Sequence, residues 1–315
     1  MNWISTVIIT LFILSFNNMN AQSISETTGF CNVKHGNIYY KIFGAEKPGT
    51  PLICIHGGPG GSHDYLLSMK PLAENRPVIF YDQLGCGNSD KPEDTSLWTI
   101  EHYTEELKLL IEHLNYEKVI LLGQSWGAVP AVEYYLANTY KVKALVLSGP
   151  LISSALFIEG ARSYLPSLPE NIRSTIIKCE ESYDFSNPEY QEAMTYYYNL
   201  HLCRMSPWHP LLLETFGKLN VDIYNTLWGP SEFACNGSLL EYDKTSNLND
   251  IKIPVLYTCG EFDEAAPYIM QNFQKQTPGS ELAILKDCSH SHHLEKTDDY
   301  NYIVNSFINK VESTK

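Results

Sequence analysis

The feature that most constrains the fold of this chain is a repeated alternation of short apolar runs with segments of helical periodicity. The apolar runs are bounded by Gly and Pro and read PLICIHGG (51–58), RPVIFYDQLG (76–85), KVILLGQS (118–125) and VKALVLSGP (142–150). A strand that is apolar at every position is buried on both faces, as in a parallel sheet covered by helices. The sequence therefore predicts an α/β fold, with a mostly parallel sheet and helices on both faces.

The alternation is interrupted once, between residues 151 and 245. This stretch contains no clear buried strand and is rich in Tyr, Leu, Glu and Pro. The segments IKIPVLYTCGEFDE (251–264) and SELAILKDCSH (280–290) then resume the strand pattern. We therefore expect a single core domain formed by residues 22–150 and 246–315, with residues 151–245 as an inserted helical cap.

The acidic composition bears on the kind of partner. The 315-residue chain carries 36 Asp and Glu against 22 Lys and Arg, which gives a formal net charge of −14. Binding of nucleic acid requires a positively charged surface, so a nucleic-acid partner is not expected. A cationic or zwitterionic substrate suits this surface better. The sequence does not determine the oligomeric state.

Residues 1–21 have the composition of a targeting segment. Residues 3–16 form an apolar run, interrupted by Ser and Thr, that is shorter than the roughly 20 residues of a membrane-spanning helix. We therefore predict a secretory signal peptide that is cleaved after Ala21, with export to the periplasm or the medium and no stable membrane span. Two features depart from that pattern, because no Lys or Arg precedes the run and Met19 occupies a small-residue position. An uncleaved membrane anchor is the alternative.

The eight cysteines indicate neither a dense disulfide framework nor a metal site. Cys54 and Cys259 lie within apolar strand-like runs, where a free thiol packs as a small hydrophobic group. No pair has the CxxC spacing of a metal site, and we expect neither a metal nor an organic cofactor. The cysteines that remain available for disulfide pairing, which the sequence does not settle, are Cys31, Cys179, Cys203 and Cys235.

The sharpest local motif is GQSWG at residues 123–127. It follows the apolar run KVILL and precedes AVPAVEYYLA, which has helical composition. A G-x-S-x-G sequence between a strand and a helix is typical of a nucleophile elbow, where the glycines permit a tight turn that exposes the serine hydroxyl. The helix N-terminus also presents N–H groups and a positive dipole end to a developing oxyanion. We therefore predict Ser125 to be a catalytic nucleophile.

The HGGPG loop at residues 56–60 is a candidate oxyanion loop because it directly follows the strand-like run PLICI. Acyl transfer needs two donors directed at the tetrahedral oxyanion, usually backbone N–H groups. The loop after this strand can supply one donor, and the residue after the nucleophile can supply the other. Gly58 and Trp126 are the predicted donors, and the alternative is that GGPG is only a turn. His56 is predicted to shape this loop.

A serine hydroxyl is too weakly acidic to attack unaided, so it needs a general base and a carboxylate that orients the base. His290 and Asp263 each follow the C-terminal end of a predicted strand, which is the edge where open α/β sheets place their ligands. They also follow Ser125 in the order Ser, Asp, His. These three residues are the predicted catalytic triad.

Other residues compete for the two supporting roles. His292 and His293 are further from the strand end than His290 and fit better at the start of the next helix. A metal site at SHSHH lacks an accompanying carboxylate cluster or cysteine pair. Asp250 precedes its strand, on the wrong edge of the sheet, and Asp287 is too close to His290 along the chain.

Several of these motifs together resemble one family. HGGPGGSHDYL, FYDQLGCGNSD and GQSWG are similar to the proline iminopeptidase family of α/β-hydrolases. LWGPSEF, YTCGEFDEAAP and CSHSHHLEK are similar to its tricorn-interacting aminopeptidase branch. The resemblance runs from about residue 30 to the C-terminus and includes the cap. It implies an α/β-hydrolase fold in which Ser125, Asp263 and His290 form the triad.

The resemblance also implies how a substrate is held. In the tricorn-interacting branch, two glutamates bind the free α-amino group of the peptide, and they match Glu232 in the cap and Glu264 beside the triad Asp263. Crowded carboxylates repel each other unless a cation lies between them, and a substrate ammonium group meets that need. Cys86 and Cys288 lie within matched motifs, which implies a position near the site and sensitivity to thiol reagents.

The function implied by the resemblance is that of a serine aminopeptidase. It would release N-terminal residues, with a possible preference for proline, from short peptides or aminoacyl amides through an acyl-enzyme. The same catalytic groups also suit an amino-acid amide or ester hydrolase, or a general carboxylesterase. A carboxylesterase has no use for the two glutamates, so we expect the aminopeptidase.

Overall fold

The computed structural model describes residues 24–313, so the predicted signal peptide at residues 1–21 lies outside the described residues. Within this range the chain forms one eight-stranded sheet. Its strands are β1 (Glu26–Val33), β2 (Gly36–Phe43), β3 (Leu52–Ile55), β4 (Val78–Tyr81), β5 (Val119–Gln124), β6 (Val142–Ser148), β7 (Val255–Gly260) and β8 (Glu281–Leu285).

The sheet is mostly parallel. Its strand order is β1-β2-β4-β3-β5-β6-β7-β8, and the pairs from β4 to β8 are all parallel. The hairpin of β1 and β2 is antiparallel and adds to β4 in antiparallel register. The predicted mostly parallel α/β sheet is confirmed, whereas β1 had not been predicted because its residues are largely exposed and lack an apolar run.

The described helices divide into two groups. Those of the core are α1 (Ile100–His113), α2 (Ala128–Ala137), α8 (Pro267–Gln276), α9 (His292–Glu295) and α10 (Thr297–Ser313). Those between β6 and β7 are α3 (Ser154–Arg162), α4 (Glu170–Glu181), α5 (Pro188–His201), α6 (Pro210–Gly217) and α7 (Val221–Leu227). Short 3₁₀ segments include His63–Glu74 and Thr245–Asp250.

The apolar runs of the sheet are continuous because each strand packs on both of its faces. In β3, Ile53 and Ile55 belong to one hydrophobic cluster, and Leu52 and Cys54 belong to another. The first cluster includes apolar residues of α1, α2 and α8, and the second includes residues of α10 and of the 3₁₀ segment at 63–74. Helices therefore cover both faces of the sheet, as the sequence predicted.

The inserted residues have a small apolar core of their own. It joins α3, α4 and α5 through buried side chains that include Ala161, Ile176, Tyr190 and Tyr197. Among the described residues between β6 and β7, backbone pairing of the β type is limited to isolated bridges such as Ser153 with Asp243. The described residues between β6 and β7 are therefore mainly helical.

Two further findings concern cysteines and membrane spans. All eight cysteines fall within the described range, and each of them is buried and free. Between residues 24 and 313, no helix is both long enough and apolar enough to cross a membrane.

Candidate active site

Ser125 lies at a strained turn between β5 and α2. Its φ angle is +54°, a left-handed conformation that is unfavourable for a residue with a side chain. A Cβ atom on Gly123 would lie 2.5 Å from Gly127 O, and one on Gly127 would lie 2.1 Å from Ile55 O. Both positions therefore require glycine. Ser125 is partly exposed, although its neighbours Gln124 and Trp126 are buried. This is the geometry expected of a nucleophile elbow.

His290 and Asp263 form a buried hydrogen-bonded pair. His290 Nδ1 lies 2.7 Å from Asp263 Oδ1, and the loops after β8 and β7 carry the two residues. Asp263 also accepts hydrogen bonds from the backbone N–H groups of Ala265, at 2.8 Å, and of Gly260, at 3.2 Å. These bonds hold the orientation of the carboxylate. The His290 tautomer that donates from Nδ1 leaves Nε2 as an acceptor facing the site.

The surroundings of His290 favour its protonated form. Burial by itself would lower the pKa of this imidazole, but the Asp263 carboxylate and more distant acidic groups outweigh burial and raise the pKa above its ordinary value. An imidazolium that forms during catalysis would therefore be stabilised where it forms.

The rival residues are placed elsewhere. His292 is buried, and its Nε2 lies 2.9 Å from Ser148 Oγ and 3.0 Å from Thr258 Oγ1. His293 is also buried within α9, whereas Asp250 and Asp287 are exposed. Of the three histidines, His290 lines the cavity that contains Ser125, and Asp263 lies behind it as the partner of its Nδ1.

Gly149 is a residue of the site that the sequence had not indicated. It follows β6 with a φ angle of +52°, and a Cβ atom there would lie 2.8 Å from His290 Nδ1 and 3.2 Å from Asp263 Oδ2. His290 and Asp263 can approach the end of β6 only because this residue has no side chain.

The HGGPG loop lies against the elbow. A Cβ atom on Gly57 would lie 3.0 Å from Ser125 Cβ, so the loop backbone is close to the nucleophile. The N–H of Gly57 donates to Tyr65 Oη at 2.7 Å. The Gly57 amide is therefore engaged, and Gly58, which also lines the cavity, is the loop residue that suits the predicted donor role. The Gly58 and Trp126 amides remain predicted donors.

A buried hydrogen-bond network holds this loop in place. Gln83 N donates to His56 Nε2 at 3.1 Å, and Gln83 Nε2 donates to His56 O at 2.9 Å. Trp126 Nε1 donates to Gln83 Oε1 at 2.9 Å, which connects the elbow to the same network. Burial lowers the pKa of His56. His56 therefore shapes the loop, as predicted, and is not oriented as a base.

A cavity of about 170 Å³ extends from Ser125 between the core and the inserted helices. Ser125, His290 and Glu264 line it from the core, and Glu232 lines it from the insertion. Most of its remaining surface from the insertion is apolar or aromatic, contributed by Tyr198, Leu202, Leu212, Phe216, Leu219 and Tyr224. The cavity is therefore a small apolar pocket with acidic groups at one place.

The two glutamates of the cavity differ in their partners. Glu232 Oε1 accepts a hydrogen bond from Tyr224 Oη at 2.6 Å. Glu264 is buried, and its Oε1 lies 4.0 Å from His290 Nε2. Its second oxygen, Oε2, is buried without a hydrogen-bond partner in the part of the chain that the structure describes. A buried carboxylate oxygen without a donor is costly, so this position is suited to a cation or donor from a ligand.

Both glutamates have pKa values above those of an ordinary carboxyl. Burial is the main cause for Glu264, and the nearby Glu232 and Asp263 carboxylates raise its pKa further. Burial also raises the pKa of Glu232, although Tyr224 and His290 partly oppose the shift. Two neighbouring carboxyl groups with raised pKa values do not readily ionise at the same time unless a positive charge lies between them, so the site suits a cationic group.

Of the aromatic residues in the insertion, Tyr198 lines the cavity and Tyr197 is buried in the insertion's own apolar core. Trp228 is buried in the larger cluster that includes sheet residues, and Tyr196 is exposed. Cys86 and Cys288 are fully buried, and burial raises the pKa of the Cys288 thiol to about 12. A buried thiol of high pKa is unreactive, so sensitivity to thiol reagents is not expected at these cysteines.

The arrangement contains the groups that acyl transfer requires. It supplies a strained serine, an imidazole paired with a carboxylate, and a glycine-rich loop beside the serine. Over residues 24–313, no group of three or more His, Cys, Asp or Glu side chains is arranged to hold a metal ion.

Comparison with known proteins identifies relatives along nearly the whole chain. The family model for the α/β hydrolase fold matches residues 50–297. The proline iminopeptidase of Heyndrickxia coagulans is 38% identical over 90% of this chain and 99% of its own length. That of Thermoplasma volcanium is 38% identical over 90% of this chain and 96% of its own length. The crystal structure of the Mycobacterium smegmatis proline iminopeptidase has a TM-score of 0.85 and 28% identity, with 90% of this chain and 98% of that chain covered.

Proposed function

The chain belongs to the proline iminopeptidase family of α/β-hydrolases, and from this premise we propose that it releases the N-terminal residue of short peptides through an acyl-enzyme on Ser125. Proline is the preferred N-terminal residue suggested by the relatives' names. Aminoacyl amides with a free amine are substrates of the same chemistry.

In the proposed acylation step, Ser125 Oγ attacks the carbonyl carbon of the first peptide bond and His290 Nε2 takes the hydroxyl proton. The backbone N–H groups of Gly58 and Trp126 stabilise the oxyanion. When the C–N bond breaks, His290 returns its proton to the leaving amine, and the acyl group stays on Ser125. Asp263 stabilises the imidazolium throughout and keeps the productive tautomer.

Deacylation repeats the sequence with water as the nucleophile. His290 takes a proton from the water molecule, whose oxygen attacks the acyl carbonyl. Collapse of the second tetrahedral intermediate breaks the ester bond and returns the proton to Ser125 Oγ. The products are a free amino acid and a peptide shortened by one residue.

The observation that carries the proposal is the pair of glutamates beside the triad. Glu264 Oε2 is buried without a partner among the described residues, and Glu232 reaches the same cavity from the insertion. A substrate ammonium group supplies the missing donors and the positive charge that both carboxylates need. Because Glu264 directly follows Asp263, the ammonium is held a short, defined distance from Ser125, which restricts cleavage to the first residue.

A panel of chromogenic amides tests this function. Proline, alanine and leucine anilides would be compared with free and with acetylated amines, together with a simple acyl ester. We expect cleavage of the free-amine anilides only, and loss of that activity in Ser125→Ala. Equal cleavage of the acetylated anilides would contradict the role of the glutamates, and activity on the ester alone would indicate a general esterase.

Export is a separate proposal that depends on residues 1–21 alone. The apolar run at 3–16 and the potential cleavage site after Ala21 support a signal peptide. N-terminal sequencing of the protein recovered from its own cell envelope or medium tests it. A mature chain that begins at Gln22 is expected, and a chain that retains residues 1–21 in the cytoplasm would contradict export.

A further inference from the structure

The side chain of Gln124 connects the oxyanion loop to the base of the triad. Gly57 N–H donates to Tyr65 Oη at 2.7 Å, and Tyr65 Oη donates to Gln124 Oε1 at 2.5 Å. Gln124 Nε2 lies 3.1 Å from His290 Nε2. All four residues line the cavity at Ser125, and Gln124 and Tyr65 are buried. This chain of contacts ends on the nitrogen that must accept the Ser125 proton.

The direction of each hydrogen bond follows from the donors available. Because the Tyr65 oxygen accepts from Gly57 N–H, its own proton is left for Gln124 Oε1. That contact orients the carboxamide, so its NH₂ group points to His290. His290 Nδ1 donates to Asp263, so Nε2 of the neutral imidazole carries the lone pair that the NH₂ group meets.

The backbone of the loop accommodates this arrangement. A Cβ atom on Gly57 would lie 2.7 Å from Gln124 Oε1. The absence of a side chain at Gly57 therefore leaves the space in which the carboxamide lies beside the elbow.

The contact between Gln124 and His290 affects the protonation of the imidazole, because the charged groups around His290 act in the opposite sense. An N–H donor at Nε2 stabilises the neutral imidazole and opposes the imidazolium, whose Nε2 would carry a proton of its own. The groups that face His290 from the surrounding elements are mostly acidic and act in the opposite sense, raising its pKa. The acidic groups are Asp263, Glu264, Glu232 and Glu295. Two further imidazoles, those of His292 and His293, lie on α9.

We propose that Gln124 is a positioning residue for His290. In the resting site its amide donates to the single lone pair of Nε2 and keeps the imidazole neutral, and this hydrogen bond breaks when the Ser125 hydroxyl takes its place and delivers its proton. The inference rests on the proposed role of His290 as the base for Ser125. An amine-binding site needs acidic groups, and the negative charge of those same groups favours the protonated form of the base at mildly acidic pH. Gln124 lets the two requirements coexist in one cavity.

The test measures the ionisation of His290 without a peptide substrate. The rate at which phenylmethanesulfonyl fluoride inactivates the full chain is recorded from pH 5 to pH 9, because sulfonylation of Ser125 requires the neutral base. The variant is Gln124→Met, which keeps the side-chain length and removes the amide. We expect its rate at pH 5.5, relative to its own alkaline plateau, to be about 3- to 10-fold lower than in the wild type, as for the loss of one hydrogen bond.

Two further variants separate this role from packing. Gln83→Met removes an equally buried glutamine that forms hydrogen bonds with His56 and Trp126 and does not contact His290. The fall of its inactivation rate at acidic pH, which we call the acid limb, should match the wild type even if its rate on the alkaline plateau is lower. Tyr65→Phe leaves Gln124 in place without its orienting partner, and a smaller shift in the same direction is expected. It also serves as the test should Gln124→Met fail to fold.

The outcomes distinguish this inference from the proposed function. Identical acid limbs in the wild type, Gln124→Met and Tyr65→Phe would overturn the role of Gln124 and leave the proposed function intact. A wild-type chain that is not inactivated at any pH would instead contradict Ser125 as the nucleophile, and with it the proposed function.

Discussion

At the scale of single residues, the site contains groups that cost folding free energy unless neighbouring residues compensate for them. Ser125 has a left-handed backbone, Glu264 has a buried oxygen without a partner in the described chain, and Gly149 leaves the space that His290 occupies. Such features persist at functional sites because the surrounding structure determines them. Each of them can be removed by one substitution, and the effect on catalysis can be separated from the effect on folding.

Gly149→Ala should impair catalysis more than stability. The new Cβ would lie 2.8 Å from His290 Nδ1 and would displace the imidazole from Asp263 and Ser125. A displacement of about 1 Å typically costs on the order of 100-fold in rate. Measurement of kcat/KM for a free-amine anilide and of Tm would check this expectation.

Gly279→Ala is the matched control for that substitution. Gly279 also has a positive φ, +79°, but a Cβ atom there meets nothing within 4 Å. It therefore carries the backbone strain without the clash. If both variants lose activity equally, the close approach at Gly149 is not what positions the triad.

Glu264→Gln should weaken the recognition of free-amine substrates. Loss of one charge-assisted hydrogen bond, worth about 1.5–3 kcal/mol, predicts a fall in kcat/KM of roughly 10- to 100-fold, mainly through KM. Burial raises the pKa of Glu264, so the wild-type enzyme should gain free-amine activity as rising pH ionises this carboxyl, and the variant should lose that part of the pH profile. The exposed Glu261 is on the same loop, and Glu261→Gln should change neither quantity.

At the scale of elements, the site is assembled from chain segments that the sheet brings together. The elbow follows β5, the oxyanion loop follows the neighbouring β3, and the loops after β7 and β8 carry Asp263 and His290. Their common position at the C-terminal edge is a consequence of parallel strands. The last helix, α10, closes one face of the sheet and is held to the segment before β4 by the buried Arg76.

Arg76→Met should destabilise the protein without changing the site. The guanidinium donates to Asn305, Asn309 and Glu312 of α10, and its loss leaves these partly buried acceptors without a charged donor. A cost of about 2–3 kcal/mol is expected in the free energy of unfolding. Urea denaturation measures that cost, with kcat/KM expected to stay at the wild-type value for the folded variant.

A surface arginine provides the comparison for that variant. Arg173 pairs with Glu170 at the surface of α4, where the side chain of Glu170 is 74% exposed and that of Arg173 is 34% exposed. Arg173→Met should therefore cost less than about 1 kcal/mol. An equal loss in both variants would contradict the anchoring role of Arg76.

At the scale of the whole molecule, buried histidines couple folding to pH. Burial lowers the pKa of His292 to about 4, and it lowers the pKa of His293 well below its ordinary value. Such a group is neutral in the folded protein and protonates when the chain unfolds. Its contribution to stability is therefore complete above the ordinary His pKa near 6.5 and is lost as pH falls from there toward the folded value. Acidic groups with raised pKa values, such as Glu264, act in the opposite sense.

His293→Leu isolates one of these contributions. Neither ring nitrogen of His293 has a hydrogen-bond partner within the described chain, so the substitution removes a titratable group without breaking a bond. Relative to the wild type, the variant should gain about 1.4 kcal/mol of unfolding free energy for each pH unit below about 6.5. Denaturant titrations at pH 7.5, 6 and 5 measure the difference.

The exposed His113 supplies the control. His113→Leu is measured over the same pH range, so that the effect of replacing a surface histidine can be compared with that of replacing a buried one. A difference between His293→Leu and the wild type that does not change with pH would mean that His293 does not contribute to acid sensitivity.

The resemblance to a known family indicated Glu232 and Glu264, whereas the sequence pattern by itself determined the parallel sheet, the elbow at Ser125 and the positions of Asp263 and His290 after strand ends. These features are local, since period, glycine placement and strand ends are visible within a few neighbouring residues. The predicted helices on both faces follow from the same local pattern and agree with the structure.

Only the tertiary structure decided which contacts the catalytic groups make. Tyr65 and Gln124 are 59 positions apart, and Gln124 and His290 are 166 apart, so no local pattern links them. The space at Gly149 and the buried position of Cys86 likewise depend on packing between distant segments. Close packing leaves room for one arrangement of these side chains, and that arrangement is a property of the assembled core and not of any single segment.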